Sequence, residues 1–392
     1  MAHHALTLTA EVTGWLRSGQ RDVPIESVAG AARCEPGQPV RLMTPAGELC
    51  ALGVADPEND LIRVMALDRE GFSALDARFV RARLERSLGL RARFGLDRER
   101  TAHRLLNGAG DGLPGIAADV YGQHVVLYAY SRGLFGLSRL IAEQLVEERG
   151  SSGVVIKLRG RDAAQSAIKQ EIVGTAPAER IVVHEEGVPY EVHLTSGLNV
   201  GLFTDMREHR QLLARYVKDR RVLNTFSYTG SLSVAAARAG ASSVTSVDLA
   251  AGVQKWARAN FSLSGLDPDR HRFITQEVTS FMKKAARDGE TFDVIIVDPP
   301  TYSAARAGAW SMRKDYPDMI ERAVALLAPG GLLWLSANSR ELPPLPGLAR
   351  EAFARAERSG QVLSVGGLPP DYPTLPGQPE DRYLQVSLFC VG

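Results

Sequence analysis

The sequence predicts an α/β fold with a doubly wound, mostly parallel sheet, preceded by a small α+β domain and an N-terminal all-β module. Three observations carry this reading. After about residue 188, short apolar runs alternate strictly with helical segments, the pattern of a parallel sheet covered on both faces. Before residue 70, alternating or β-rich runs are broken by turns rich in Gly, Pro and Asp. The length of 392 residues, at roughly 100–200 per domain, makes room for two or three domains.

Each element follows in chain order. ALTLTAEV (5–12), PVRLMTPAG (39–47), LCALGVAD (49–56) and LIRVMALD (61–68) read as strands. From Ala74 to about Leu96 the pattern turns helical. RLLNGAGDGLPGIAADVYGQHVVLYAY (104–130) gives turn, strand, turn, strand. LFGLSRLIAEQLVEE (134–148) is an amphipathic helix and GVVIKLRG (153–160) a strand. RVLNTFSY (221–228) then opens the strand-then-helix rhythm, with SVTSVD (243–248), HRFITQEV (271–278), FDVIIVDPP (292–300) and LLWLSAN (332–338) as later strands. GSLSVAAARAG (230–240), VQKWARANFSLSG (253–265), SFMKKAARDG (280–289) and PDMIERAVALLAPGG (317–331) are the intervening helices.

Composition excludes several classes. With 45% hydrophobic and 23% charged residues, the chain is neither disordered nor collagen-like. A net charge of +1 excludes coating nucleic acid by bulk charge. Only seven of the 46 cationic side chains are lysine; arginine forks suit phosphate, but genomic base composition produces the same bias, and both readings stand. Cys34, Cys50 and Cys390 show neither metal spacing nor a disulfide framework, and His184, His193, His209 and His271 are scattered, so no metal is expected. The opening MAHHALTLTAEVTGWL lacks the basic head and apolar core of a signal peptide, and no apolar run approaches the length of a span. A cytoplasmic protein with no membrane partner is expected.

In open α/β sheets, ligands sit beyond the carboxyl ends of the strands, near the point where strand order reverses. Four features fall there. Asn224–Gly230 ends the first strand; its single glycine opening a helix permits close backbone approach, without the G-x-G-x-x-G of a pyrophosphate cradle. Asp248 ends the second strand, where a carboxylate can accept both ribose hydroxyls of an adenosine-containing cofactor, or simply close a turn. Glu277 ends the third, where a carboxylate could meet an adenine amine. Asp298-Pro299-Pro300 follows the fourth; two prolines stop the strand and remove two N–H donors, leaving acceptors for the donor edge of a base. A strand stop explains the last feature alone; four in register at successive strand ends argue for a site.

Together FSYTG, SVD, FDVIIVDPPTYS and LLAPGGLLWLSAN resemble the class I S-adenosylmethionine-dependent methyltransferases that modify bacterial large-subunit ribosomal RNA. GLNVGLFTDMREHR (197–210) resembles that family's segment before the first strand, HRLLNGAGDGLPGIAADVYG (103–122) its central-domain signature, and residues 5–70 its PUA module. The resemblance implies a PUA-like module at 1–73, a central α+β domain at 74–187 and a Rossmann-like methyltransferase domain at 188–392. It implies S-adenosylmethionine as cofactor, S-adenosylhomocysteine as product, and ribosomal RNA of the large subunit or its precursor as partner; a homodimer is left open. It further implies that Phe203, Asp205, Arg207 and Arg210 line the methionine side, with Phe226, Tyr228, Thr229 and Gly230 as the floor. Asp248 would hold the ribose and Glu277 sit near the adenine, while Asp298, Pro299 and Pro300 face the target base, Asp298 also bordering the cofactor. The two arginines have a plainer alternative, as a helix start salt-bridged to Asp205 and Glu208.

Relatives that methylate cytosine C5 need a thiolate, because C5 becomes nucleophilic only after covalent attack at C6. In the cytosine-type relatives that cysteine follows the fifth strand in a Phe-Ser-Cys-Ser context; here the place reads Leu335-Ser336-Ala337-Asn338. This segment and Thr301-Tyr302-Ser303 look more like the guanosine-N7 half of the bifunctional ribosomal RNA methyltransferases. The favoured reading is non-covalent transfer to guanine N7, with Asn338 joining Asp298 in gripping the base. The alternatives are a 5-methylcytosine enzyme, a transfer-RNA substrate, a nicotinamide-dependent dehydrogenase, or a non-catalytic RNA-binding or assembly factor with this fold.

Two further signals concern RNA. Between Arg78 and Arg104, nine arginines face three acids, Glu85, Asp97 and Glu99, a candidate phosphate-binding patch that Lys157, Arg159, Arg161 and Lys169 could extend. Where relatives carry an aromatic His-Pro-Trp-Val-Phe-like stretch, this chain reads Gly19-Gln20-Arg21-Asp22-Val23-Pro24-Ile25, so RNA contact and a spacer role for the module both stand open.

Overall fold

The computed structural model describes residues 4–97, 101–160, 170–305, 308–340 and 342–392. The chain forms two compact units, one of Met1–Gly187, Val192–Val200 and Pro370–Asp381, the other of Val188–Glu191, Gly201–Pro369 and Arg382–Gly392.

The first unit contains two five-stranded sheets. In the N-terminal sheet, His4–Thr7 pairs with Pro39–Met43, followed by Leu49–Asp56, Leu61–Leu67 and the edge strand Asp22–Pro24. The strand Ala102–Asn107 takes in residues read as a turn from the sequence, and ALTLTAEV also departs from its reading. The tail of ALTLTAEV belongs to a helix, Ala10–Ser18, because Leu8, Val12 and Leu16 recur every four residues and are all buried. The Thr9 hydroxyl caps it by accepting from Val12 N–H at 3.2 Å, and Gly19 ends it at φ 104°. The all-β expectation therefore misses one helix. The second sheet runs Gln170–Gly174, Gly153–Leu158, His124–Ala129, Ile116–Tyr121, Ala102–Asn107. Its single parallel pair, His124–Ala129 with Gly153–Leu158, is joined by the helix Phe135–Glu147.

The second unit carries the helix α1 (Arg207–Ala214), then β1 (Arg221–Thr225), α2 (Ser231–Arg238), β2 (Ser243–Asp248), α3 (Ala251–Leu263), β3 (Arg272–Thr275), α4 (Val278–Arg287) and β4 (Phe292–Val297). After α5 (Met312–Leu326), β5 (Leu327–Asn338) and α6 (Leu345–Arg355), the strands β6 (Gly360–Gly366) and β7 (Leu384–Val391) close the sheet. Strand order is β3-β2-β1-β4-β5-β7-β6; the first five are parallel, and β7 is antiparallel to both its neighbours. Val294 to Val297 and Leu333 to Leu335 are fully buried, as strands covered on both faces must be. On α4, the spacing of Val278, Phe281, Met282 and Ala285 turns one stripe onto this core.

Strand order reverses between β1 and β4. Register there pairs Thr225 with both Val247 and Val297, and Val297 with Leu335. The next residues, Phe226, Asp248, Asp298 and Ser336, therefore form one row along the carboxyl edge of four adjacent strands.

Candidate active site

The loop leaving β1 is built from left-handed turns. Phe226, Tyr228 and Gly230 have φ of 54°, 47° and 78°. For the two non-glycine residues this conformation costs roughly 1–2 kcal/mol each. Hydrogen bonds hold it: Ser227 N–H donates to Val247 O at 3.0 Å, Gly230 N–H to Ser227 O at 2.9 Å, and the Thr229 hydroxyl to Gly201 O. A Cβ on Gly230 would lie 3.0 Å from Ala257 Cβ, so a side chain there would push α3 off the loop.

Beneath the loop lies a polar layer that the sequence reading missed. From α3, Asn260 donates to Thr229 O at 2.9 Å and Gln254 to Ser227 Oγ at 3.2 Å. Asn224 donates to Ser233 Oγ at 2.8 Å, and that hydroxyl meets Ser246 Oγ at 2.8 Å. The available signal was position: Gln254 and Asn260 lie among the buried residues of α3, with Ala257 and Phe261.

Asp248 accepts from Tyr228 N–H through Oδ2 and from Ala250 N–H through Oδ1, both at 3.0 Å. Each carboxylate oxygen keeps lone-pair capacity beyond that bond, so a ligand diol fits. Glu277 is the N-cap of α4, accepting from Thr279 N–H at 2.8 Å and Ser280 N–H at 2.7 Å. Burial opposes its ionisation, but these donors outweigh burial and lower its pKa.

Asp298 accepts the Ser336 hydroxyl at 2.6 Å. Burial pushes its carboxyl up to about 6; the Ser336 bond opposes this, the Asp205 charge adds to it, and Arg210 counters. Pro299 is buried and Pro300 exposed. The buried Tyr316 hydroxyl spans β4 and β5, 2.8 Å from Ser336 O and 3.2 Å from Val297 O. Thr301 donates to Asn338 O at 2.6 Å, and Asn338 itself is exposed.

Ahead of α1, the Phe203 ring lies 5.4 Å from that of Tyr228, and the buried Asp205 accepts the Tyr383 hydroxyl at 3.0 Å. Arg210 is buried, donating to Phe203 O at 2.9 Å, with its guanidinium 5.9 Å from the Tyr190 ring centre. Arg207 is fully buried, 3.9 Å from Glu208. Register thus sets Phe226, Asp248 and Asp298 along one edge of the second unit, and the Phe203 ring packs beside that of Tyr228 in the same loop.

The arginine-rich stretch needs correcting. Arg83 pairs with Glu70 at 3.0 Å, Arg91 with Asp111 at 2.7 Å and Arg104 with Asp119 at 2.7 Å, all three arginines buried, while Arg81 pairs with Glu148. Arg78, Arg86 and Arg93 are exposed; Arg98 and Arg100 lie outside the described residues, as do Arg161 and Lys169. Lys157 is also internal, donating to Gly197 O at 2.8 Å, and burial lowers its pKa to about 8. Much of the apparent charge excess is therefore matched inside the fold.

The thiols lie elsewhere. Cys34 is buried and Cys50 half-buried, and burial raises both thiol pKa values, disfavouring the thiolate. Cys390 on β7 pairs with Leu332, five residues before Ala337 on β5. At about 3.3 Å per residue that is roughly 16 Å from the carboxyl edge.

Comparison with known proteins bears on this geometry. A family model described as S-adenosylmethionine-dependent methyltransferase matches residues 126–380. Ribosomal RNA large subunit methyltransferase I of Klebsiella pneumoniae (strain 342) is 32% identical over 386 residues, covering 95% of this chain and 92% of the relative. The protein of the same name from Shewanella denitrificans is 29% identical over 356 residues, 89% of each chain. The crystal structure of SMU.776 complexed with SAH superposes with a TM-score of 0.87 at 25% identity, covering 99% of this chain and 100% of that one.

Proposed function

We propose that this chain, which belongs to the S-adenosylmethionine-dependent methyltransferase family, methylates a base of 23S ribosomal RNA in the cytoplasm, and that the acceptor atom is guanine N7. Relatives named as large-subunit ribosomal RNA methyltransferases, aligned over nearly the full chain, support the RNA substrate. The observation that carries the choice of atom is Ala337, buried at the carboxyl end of β5 between Ser336 and Asn338, with Cys390 far down the sheet.

Bound S-adenosylmethionine supplies an electrophilic methyl group on a sulfonium. The rest falls to the chain. Asp248 accepts the ribose hydroxyls, the 226–230 loop and Phe203 enclose the cofactor, Arg207 and Arg210 order the methionine side, and Glu277 stands towards the adenine. Asp298, Pro299, Pro300 and Asn338 would grip the target base beside the bound cofactor. Guanine N7 would take that methyl group on its own lone pair, leaving S-adenosylhomocysteine as the product. No proton leaves the base, so no general base is required; positioning and electrostatics do the catalysis.

Labelled methyl transfer to naked 23S ribosomal RNA, small-subunit ribosomal RNA and transfer RNA tests the substrate. Incorporation into 23S RNA is expected; incorporation into transfer RNA alone would contradict the reading.

A further inference from the structure

The helix Ala77–Arg93 of the first unit carries six arginines, and the fold uses them in two ways. Arg83 and Arg91 are buried in ion pairs with Glu70 and Asp111, and Arg81 holds Glu148 at the surface. Arg78, Arg86 and Arg93 are exposed, and among the described residues none of the three has an ion pair. At about 100° per residue these three fall within an arc of about 80°, and Ala82 and Gly89 lie in the same arc. Glu85, just outside it, is taken by Arg149 at 3.3 Å. Along the axis the three arginines stand about 12 Å and about 10 Å apart, at about 1.5 Å per residue. Guanidinium groups set in a row this far apart cannot converge on one phosphoryl group; they suit the repeated phosphates of a strand. The small residues keep the row open: a Cβ added at Gly89 would meet no atom within 4 Å. The row ends at Phe94, the helix C-cap, which is 63% exposed, with the Arg93 guanidinium 5.6 Å from its ring centre. A free aromatic face beside a cation can stack an unpaired base while its phosphate is neutralised. A base inside a duplex offers no such face, so the ring favours a single strand.

We propose that Arg78, Arg86, Arg93 and Phe94 form a docking surface for single-stranded RNA, the arginines meeting its phosphate backbone and Phe94 stacking on one unpaired base. The proposal rests on the RNA-methyltransferase reading, and its test measures binding alone. Fluorescence anisotropy follows a labelled oligouridylate bound to the full chain over a range of salt concentrations. Arg78→Gln, Arg86→Gln and Arg93→Gln together should weaken binding by about 10- to 100-fold near physiological salt. They should also reduce the slope of log affinity against log salt by about 2, three contacts at roughly 0.7 each. Phe94→Ala should lose about 5- to 150-fold, the worth of one stacked base, with the slope unchanged. Gly89→Glu sets a carboxylate into the row where nothing crowds it, and should weaken binding too. Calorimetry with S-adenosylmethionine checks that each variant is folded, its cofactor affinity staying that of the wild type. Unchanged affinity and slope in the folded triple variant overturn the proposal, as does a wild-type chain that does not bind oligouridylate. Unchanged affinity in Phe94→Ala overturns the stacking contact. Should the triple variant not fold, undiminished binding by Gly89→Glu overturns the proposal equally. A chain that binds oligouridylate through this surface yet methylates no RNA would contradict the functional reading and leave the surface standing.

Discussion

At Asp298, burial raises the carboxyl pKa to about 6, with Ser336 and Arg210 opposing and Asp205 adding to the shift. The folded chain therefore holds this proton more tightly than the unfolded chain does. The contribution of this group to native stability is lost as pH rises from the ordinary carboxylate range through about 6, and at neutral pH its ionised form opposes folding by on the order of 2–3 kcal/mol. Asp298→Asn keeps an acceptor for Ser336 and removes the charge. It should raise Tm at neutral pH, measured by thermal denaturation, while abolishing most methyl transfer; a lower Tm would contradict this account. Asp248 has both oxygens oriented by backbone donors before any ligand binds. Removing its charge in Asp248→Asn should weaken S-adenosylmethionine binding by roughly 10- to 150-fold in calorimetry, the value of about 1.5–3 kcal/mol for a hydrogen bond to a charged group. Both aspartates were legible in the sequence, because a carboxylate at a strand end has a recognisable place. Tyr383 was not, because its partner Asp205 lies 178 residues away and no local pattern marks the pair.

Among the elements, α3 does more than cover the sheet. Asn260 accepts from Glu191 N–H at 2.9 Å and donates to Thr229 O at 2.9 Å, and its side chain is fully buried. Asn260→Ala removes both bonds, including the donor to the carbonyl of the buried Thr229. It should cost about 2–4 kcal/mol in denaturant unfolding and weaken cofactor binding, because the left-handed 226–230 loop loses a brace. Undiminished cofactor affinity in a destabilised Asn260→Ala chain would separate the loop from α3. The strand-and-helix alternation after residue 188 was readable because fully buried parallel strands are apolar throughout, as in FDVIIV. The helix Ala10–Ser18 was not, because Ala5–Thr9 alternates like a strand while Leu8, Val12 and Leu16 follow the helical period. Both patterns share residues, and packing in the N-terminal core decides between them.

Across the whole molecule, net charge proved a poor guide to where charge acts. The +1 total conceals buried ion pairs in the first unit that also secure a distant segment: Arg91 donates to Asp111 and to Asp371 O at 2.7 Å, and Asp371 accepts Arg104 N–H at 3.0 Å. Composition could count these arginines but could not say which face inward. Arg91→Ala would strand a buried carboxylate, so it should destabilise the fold by about 3–5 kcal/mol in chemical denaturation instead of acting as a loss of RNA contact. We propose non-covalent methyl transfer to guanine N7 by a site in which Ala337, next to the last residue of the fifth strand, stands where the cytosine-type relatives carry a thiol. Nucleoside mass spectrometry of 23S RNA digested after reaction tests it most directly: 7-methylguanosine is the predicted product, and 5-methylcytidine would contradict the account.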